Sequence, residues 1–219
     1  MTESTGTDHL DTTRAAYDAV AVRYTELFAD DFGARPLDRA MIDALAELVL
    51  QAGGGPVADL GCGPGHVTAR LHGLGLDAFG IDVSPAMVAI ARSRYPQLRF
   101  TEGPMLGTGL AEGSLGGILA HYSLIHTPPE ELPEVFAEFH RLLAPGGHLL
   151  VAVQSGDGPL PPVTAYDHKV APAYRWWPDA LAALLREAGL TEVARLVREP
   201  YEGERTPHAQ LLVRRPVAG

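Results

Sequence analysis

The most constraining feature of this chain is the run Asp59-Leu60-Gly61-Cys62-Gly63-Pro64-Gly65. It follows a short apolar stretch, Val57 to Leu60, and precedes a helical one, Val67 to His72. Alternating glycines permit positive φ and let a ligand approach the backbone closely. The helix behind them offers free N–H groups at its start. A strand, a glycine-rich turn and a helix in that order begin a βαβ unit, so the chain is expected to build a parallel sheet covered on both faces.

The rest of the chain repeats that alternation. Helices are expected over His9 to Ala29, with Ala15, Tyr17, Val20, Tyr24 and Phe28 on a recurring face, and from Pro36 to about Gln51. Gly73 is the expected stop of the helix after the glycine loop. Further strands are expected at Asp77 to Ile81, Leu98 to Thr101, Ser114 to His121 and His148 to Val153. Ser84 is expected to cap a helix opening at Pro85, and Pro129 to open another that ends near Leu143. Residues 155–177 are rich in Gly and Pro and read as a lid. A helix from Pro178 to Gly189 and two antiparallel strands, Glu192 to Arg198 and His208 to Arg214, close the chain. The expected fold is α/β: a Rossmann-like, seven-stranded, mostly parallel sheet with helices on both faces and an antiparallel C-terminal hairpin. Residues 1–219 form one domain in this reading, with 1–8 a loose tail and 9–52 a helical cover.

The glycine spacing separates two nucleotide-binding chemistries. A dinucleotide-binding loop would read G-x-G-x-x-G; here Gly65 comes one residue early and His66 stands in the expected place. Nor is there the Gly-Lys-Ser/Thr of a P-loop. Asp82 ends the second strand, where a carboxylate can accept two hydrogen bonds from a ribose. Alone, each feature is as well explained by a turn or a helix cap; together they point to a nucleoside ligand.

Asp59-x-Gly61-x-Gly63-x-Gly65, with Asp82 ending the next strand, resembles the class I S-adenosylmethionine-dependent methyltransferase family. Leu142-Leu143-x-Pro145-Gly146-Gly147 and the final antiparallel hairpin agree with it, and the likeness runs in order from about Tyr17 to Arg214. The resemblance implies that S-adenosylmethionine is the cofactor. It implies that Gly61, Cys62 and Gly63 wrap its methionine part, that Asp59 orients the loop and the amino group, and that Gly65 belongs to the same cofactor-binding loop. Asp82 would hold the ribose, and Val83, Met87, Gly103, Pro104 and Met105 would surround the adenine. Family members often carry an acid where this chain has Pro104. Tyr17 and Tyr24 share a helix face and are either core aromatics or cofactor contacts.

The resemblance further implies methyl transfer to a small-molecule acceptor, with O- and N-acceptors ahead of carbon. His121 and His126, at the end of the fourth strand, are the candidate bases, since histidine titrates near neutral pH. Either could equally be a structural hydrogen-bonder, and His121 and Tyr122 could touch the cofactor instead. His126, His168, Tyr174 and Trp176 are expected around the acceptor. The Glu202, Glu204 and Arg205 turn is expected to be solvated, with or without ion pairs that contribute little. Two other readings keep the fold: a non-methylating enzyme that binds the same cofactor, and a non-catalytic partner subunit.

Composition narrows the partners. The formal charge is -10 and no Lys/Arg tract occurs, which disfavours nucleic acid. Cys62 is the only cysteine, so no internal disulfide can form; this suits the cytoplasm. No apolar run is long enough to cross a membrane, no metal site is expected, and a homodimer is left open.

Overall fold

A computed structural model describes residues 6–27, 31–156, 158–159 and 161–217. The expected tail residues 1–5, and Phe28 and Ala29 of the expected first helix, lie outside the described residues.

The elements in order are α1 (Gly6–Leu27), α2 (Pro36–Gln51), β1 (Val57–Leu60), α3 (His66–Gly73), β2 (Ala78–Asp82), α4 (Pro85–Arg94), β3 (Arg99–Glu102) and β4 (Leu115–His121). A 3-10 turn, Leu124–His126, precedes α5 (Leu132–Leu142), β5 (Leu143–Gln154), β6 (Val163–Tyr166), β7 (Ala173–Trp176), α6 (Pro178–Glu187), β8 (Thr191–Arg198) and β9 (His208–Arg214).

The main sheet has seven strands in the order β3-β2-β1-β4-β5-β9-β8. β1 to β5 run parallel, and β9 pairs antiparallel with both β5 and β8. β1 and β2 are buried at every position, as strands covered on both faces must be. On one face Phe136 and Phe139 of α5 pack with Leu119's neighbour Ile118 and with Leu181 of α6. On the other, Ile42, Leu45 and Val49 of α2 pack against Leu119 and Leu150. The strand order reverses between β1 and β4, and ligands of open α/β sheets sit at such a switch point, beyond the carboxyl ends of the strands.

Several boundaries differ from the sequence-based expectation. α1 already includes residues 6–8 that were expected in the tail. Gly73 lies inside α3; Leu74 is its C-cap and Gly75 takes the left-handed conformation, with φ 92°. α5 begins at Leu132 rather than Pro129 because Pro133 occupies its first turn. The expected lid is not a loop throughout: β6 and β7 pair as an antiparallel two-stranded sheet. β7 is tied to the main sheet by a bridge between Ser155 and Trp176.

Candidate active site

The loop after β1 is held from below. The Gly61 and Cys62 N–H groups both donate to the Ile81 carbonyl, at 2.7 and 3.1 Å. Gly61 has φ 76°, and a Cβ there would lie 2.2 Å from the Ser123 Cβ. No side chain fits, so the loop and the β4 end close on each other only with glycine here. Gly65 ends the loop in the left-handed region, with φ 82°, as the N-cap of α3. The Cys62 side chain turns inward, 5% exposed, among Val88, Ala91 and Phe100, so Cys62 presents its backbone to the loop mouth. Asp59 is 1% exposed and accepts a 2.6 Å hydrogen bond from the Thr68 hydroxyl. Burial pushes its carboxyl up to about 7, despite that bond.

Asp82 joins the loop to the next helix. Its Oδ2 accepts from the Gly63 N–H at 2.7 Å and its Oδ1 from the Ser84 N–H at 2.8 Å. Each oxygen keeps a lone pair for a further donor. The bond to Ser84 is the turn contact expected of an Asp before a helix; the bond to Gly63 ties the same carboxylate to the glycine loop. Burial raises the Asp82 carboxyl while the two backbone bonds oppose the rise. Ser84 caps α4 by accepting from the Met87 N–H at 3.1 Å. The Ser84 hydroxyl in turn donates to Asp18 of α1, which also accepts from the Ala86 N–H at 3.1 Å. α1 is thereby docked on the start of α4, beside Asp82. Asp18 gave no signal in the sequence, since its partners lie 66 and 68 positions away.

α1 brings Tyr17 to His126. The Tyr17 hydroxyl lies 2.9 Å from His126 Nε2, and His126 Nδ1 lies 2.7 Å from the Pro172 carbonyl. A carbonyl only accepts, so Nδ1 carries the proton and Nε2 accepts from the tyrosine. Both ring nitrogens of His126 are therefore engaged. Burial lowers its basicity, and burial likewise pushes the Tyr17 phenol well above its ordinary value. Tyr24 and His126 both meet the Tyr17 ring edge-on, at 5.8 and 5.4 Å. The His168 ring stands 5.2 Å from that of His126. Tyr17, Tyr24, His126 and His168 thus form one cluster between α1, the 3-10 turn and the β6–β7 hairpin.

His121 and Tyr122 belong to a different neighbourhood. Their rings are 4.6 Å apart. Tyr122 is the only non-glycine with positive φ among the described residues, at 56°, a conformation that costs of order 1–3 kcal/mol. Its hydroxyl lies 2.7 Å from His208 Nδ1, which also receives Arg198 at 3.3 Å. Arginine only donates, so Nδ1 is unprotonated and Tyr122 donates to it. Arg198 bonds Asp38 and Glu204, and Gln210 also donates to Asp38. Glu204 is 9% exposed by its side chain and Asp38 is 0% exposed. The turn at Glu204 is therefore ion-paired, but in a buried network packed under Tyr122 rather than in solvent. Burial raises the Glu204 carboxyl, but the Arg198 hydrogen bonds outweigh it and leave the group at about 2. Burial, with His66 and Arg35 adding to it, pushes His121 down to about 3, so at neutral pH it is an uncharged ring.

Of the remaining expected residues, Gly103 donates its N–H to the Asp82 carbonyl at 3.0 Å, and Pro104 is exposed beside it. Met105 reaches back toward Gly61, and Val83 is half-exposed. Met87 is 1% exposed and packs inward. Trp176, expected at the acceptor mouth, is 4% exposed and belongs to the main core, with half-buried Tyr174 packed against it. The aromatic signal there was a core signal, because Ala173 and Trp176, the two end residues of β7, are both among the buried residues of the core. Among the described residues no group of three or more His, Cys, Asp or Glu could hold a metal ion.

Comparison with known proteins agrees with this geometry. A family model described as "Methyltransferase domain" matches residues 57–147. The trans-aconitate 2-methyltransferase of Escherichia coli O139:H28 (strain E24377A / ETEC) is 42% identical over 117 residues, which are 52% of this chain and 44% of that protein. The match thus spans less than half the length of that curated relative. Among solved structures, the 1,6-didemethyltoxoflavin-N1-methyltransferase of Burkholderia thailandensis, with its substrate and S-adenosylhomocysteine bound, superposes with a TM-score of 0.77 at 23% identity, covering 99% of this chain and 92% of that one. The [4+2]-cyclase SpnF superposes with a TM-score of 0.68 at 20% identity, over 82% of each chain. With the strand order, the glycine loop and the Asp82 contacts, the chain resembles class I S-adenosylmethionine-dependent methyltransferases, and its methyltransferase domain match spans residues 57–147.

Proposed function

We propose that this chain transfers the methyl group of S-adenosylmethionine to a small-molecule acceptor, with O- and N-acceptors ahead of carbon. The observation that carries the reading is the Asp82 carboxylate, buried, fixed by the Gly63 and Ser84 N–H groups, with a lone pair left on each oxygen for a ribose. The cofactor supplies an activated methyl on a sulfonium, so the chain's task is alignment and exclusion of water. Gly61 to Gly63 would carry the methionine part and Asp82 the ribose. Val83 and Met105 would flank the adenine, and Tyr17 would cover the site from α1. Two of the named proteins, by their names, act on trans-aconitate and on 1,6-didemethyltoxoflavin, which supports a small acceptor. We place the activity in the cytoplasm, in keeping with the lone, buried Cys62. No described helix is long and apolar enough to cross a membrane. We propose neither a nucleic-acid nor a membrane partner, and a homodimer is compatible with this reading.

Mass spectrometry of reactions with a methyl-labelled cofactor and a panel of carboxylates, phenols, amines and heterocycles tests the reading. A product heavier by one labelled methyl, with an equal amount of S-adenosylhomocysteine, is expected. Conversion without methyl gain or S-adenosylhomocysteine release overturns methyl transfer in favour of another reaction on this fold, such as a cyclisation.

Asp59 gives a pH dependence with a fixed sign. Its carboxyl, at about 7, is protonated in the fold at mildly acid pH, and a cationic amino group pairs only with the ionised form. Cofactor affinity is therefore expected to rise by up to about tenfold per pH unit between about pH 5 and about pH 7, and to level off above. In the unliganded protein the same shift makes stability fall as pH rises from about 4 to about 7, because the folded state retains a proton that the unfolded state has lost. Calorimetry across pH checks this, and Asp59→Asn should flatten the affinity profile.

A further inference from the structure

The chain is strongly acidic, with 27 acidic residues against 17 basic ones. Three of its cations nevertheless meet at the β6–β7 hairpin. Lys169, the only lysine in the sequence, lies in the turn between the two strands. Arg175 stands on β7 opposite Thr164, two positions before Tyr166 on the same face of β6. Its guanidinium carbon therefore lies 5.6 Å above the Tyr166 ring. Arg205, from the loop between β8 and β9, donates to the Asp167 carbonyl at 2.6 Å and brings a third cation to the hairpin. Arg205 and Arg175 both act on the Tyr166 phenol, and Arg205 and Lys169 both act on His168. Asp167 is the one carboxylate that opposes them at His168.

Two donors here are buried without a hydrogen-bond partner among the described residues: the Tyr166 hydroxyl and Arg175 Nε. A buried donor left unmade costs of order 1–3 kcal/mol, so such groups call for an acceptor. They sit on the acceptor side of the site. The Tyr166 and His168 rings are 5.9 Å apart, His168 meets His126, and Tyr166 acts on the Tyr17 phenol, as does Asp82.

We propose that the hairpin reads an anionic acceptor, and that the acceptor is a small carboxylic acid held by the Tyr166 hydroxyl and the Arg175 guanidinium, with Lys169 and Arg205 drawing it in. This rests on the methyl-transfer reading and names its substrate class. A carboxylate also suits the chemistry of the cluster. Both nitrogens of His126 are engaged and His168 Nδ1 accepts from the Val170 N–H, so neither histidine of the cluster offers a free basic nitrogen. A carboxylate needs none: one of its oxygens forms the new C–O bond as the C–S bond to the methyl breaks, and the electron pair leaves on sulfur. The products are an ester with one negative charge fewer than the acid and S-adenosylhomocysteine without the sulfonium charge, and no proton moves. The ester has lost the charge that bound it, which favours release.

The test is calorimetry on the full chain saturated with S-adenosylhomocysteine, using small mono-, di- and tricarboxylates, trans-aconitate among them, and their neutral amides. Binding of at least one carboxylate and none of the matching amides is expected. Tyr166→Phe, which keeps the ring, and Arg175→Gln should each weaken that carboxylate about tenfold or more and leave S-adenosylhomocysteine affinity unchanged. Amides binding as well as acids, no acid binding, or undiminished carboxylate affinity in both variants overturns the proposal. Failure of S-adenosylhomocysteine to bind is a separate result, and it overturns the methyl-transfer reading itself.

Discussion

Asp82→Ala is expected to weaken S-adenosylhomocysteine binding by about 100-fold or more while the protein remains folded. The carboxylate would accept from two ribose hydroxyls, and hydrogen bonds to a charged group are worth about 1.5–3 kcal/mol each. Two of them at the lower limit give about 3 kcal/mol, which is somewhat over a hundredfold. A second loss adds to this. Without Asp82 the Gly63 and Ser84 N–H groups lose their acceptor, so the glycine loop is no longer tied to the start of α4. Asp82→Asn separates the two effects, since its carbonyl oxygen can keep one backbone donor while the charge is gone. It should fall between wild type and alanine in a calorimetric titration. Undiminished binding in the alanine variant contradicts the site.

The largest expected effect on stability lies away from the cofactor, at Asp38. Its carboxylate accepts from Arg198 Nε at 3.3 Å, from Arg198 Nη2 at 3.4 Å and from Gln210. The Arg198 side chain is only 3% exposed, so Asp38→Ala leaves a buried guanidinium with fewer counter-charges. Breaking one partner of such a pair costs about 3–5 kcal/mol. For a chain of this length that lowers Tm by roughly 6–20 °C. The loss comes from stranding the cation and does not measure what the pair adds over an apolar core. Glu204 gives the network a pH signature. Its carboxyl is held at about 2, below its ordinary 4.5, so its stabilisation is complete above about pH 5 and is lost as pH falls toward 2. Thermal melts of wild type and Glu204→Gln should converge at the acid end. Equal melting temperatures for wild type and Asp38→Ala at neutral pH would rule out a network that holds the β8–β9 edge.

What could be read from the sequence was local. Gly61, Gly65 and the Ser84 cap act through backbone conformation within a few residues, and the structure has them where their spacing put them. The strands β1, β2 and β4 are apolar but for Asp59, Asp82 and His121, a run that marks them as buried strands. Pairings across long separations left no mark. Asp18 meets Ser84 over 66 positions, Arg198 meets Asp38 over 160, and His126 meets the Pro172 carbonyl over 46. Glu204 looks like turn chemistry in its own neighbourhood and becomes a buried ion pair only when α2 arrives from the far end of the chain. The hairpin of β6 and β7 was hidden for a related reason. Its glycines and prolines read as loop, while its strands are stabilised by each other and by the bridge to Ser155. Trp176 illustrates the converse, since an aromatic in a Gly- and Pro-rich segment looks like a mouth residue until the strand that turns it inward is known.

A crystal structure with S-adenosylhomocysteine bound decides where the cofactor sits. Both ribose hydroxyls are expected within hydrogen-bonding distance of the Asp82 carboxylate, with the homocysteine lying along Gly61 to Gly63. A nucleoside bound elsewhere, or one whose ribose leaves Asp82 without contact, would contradict this placement.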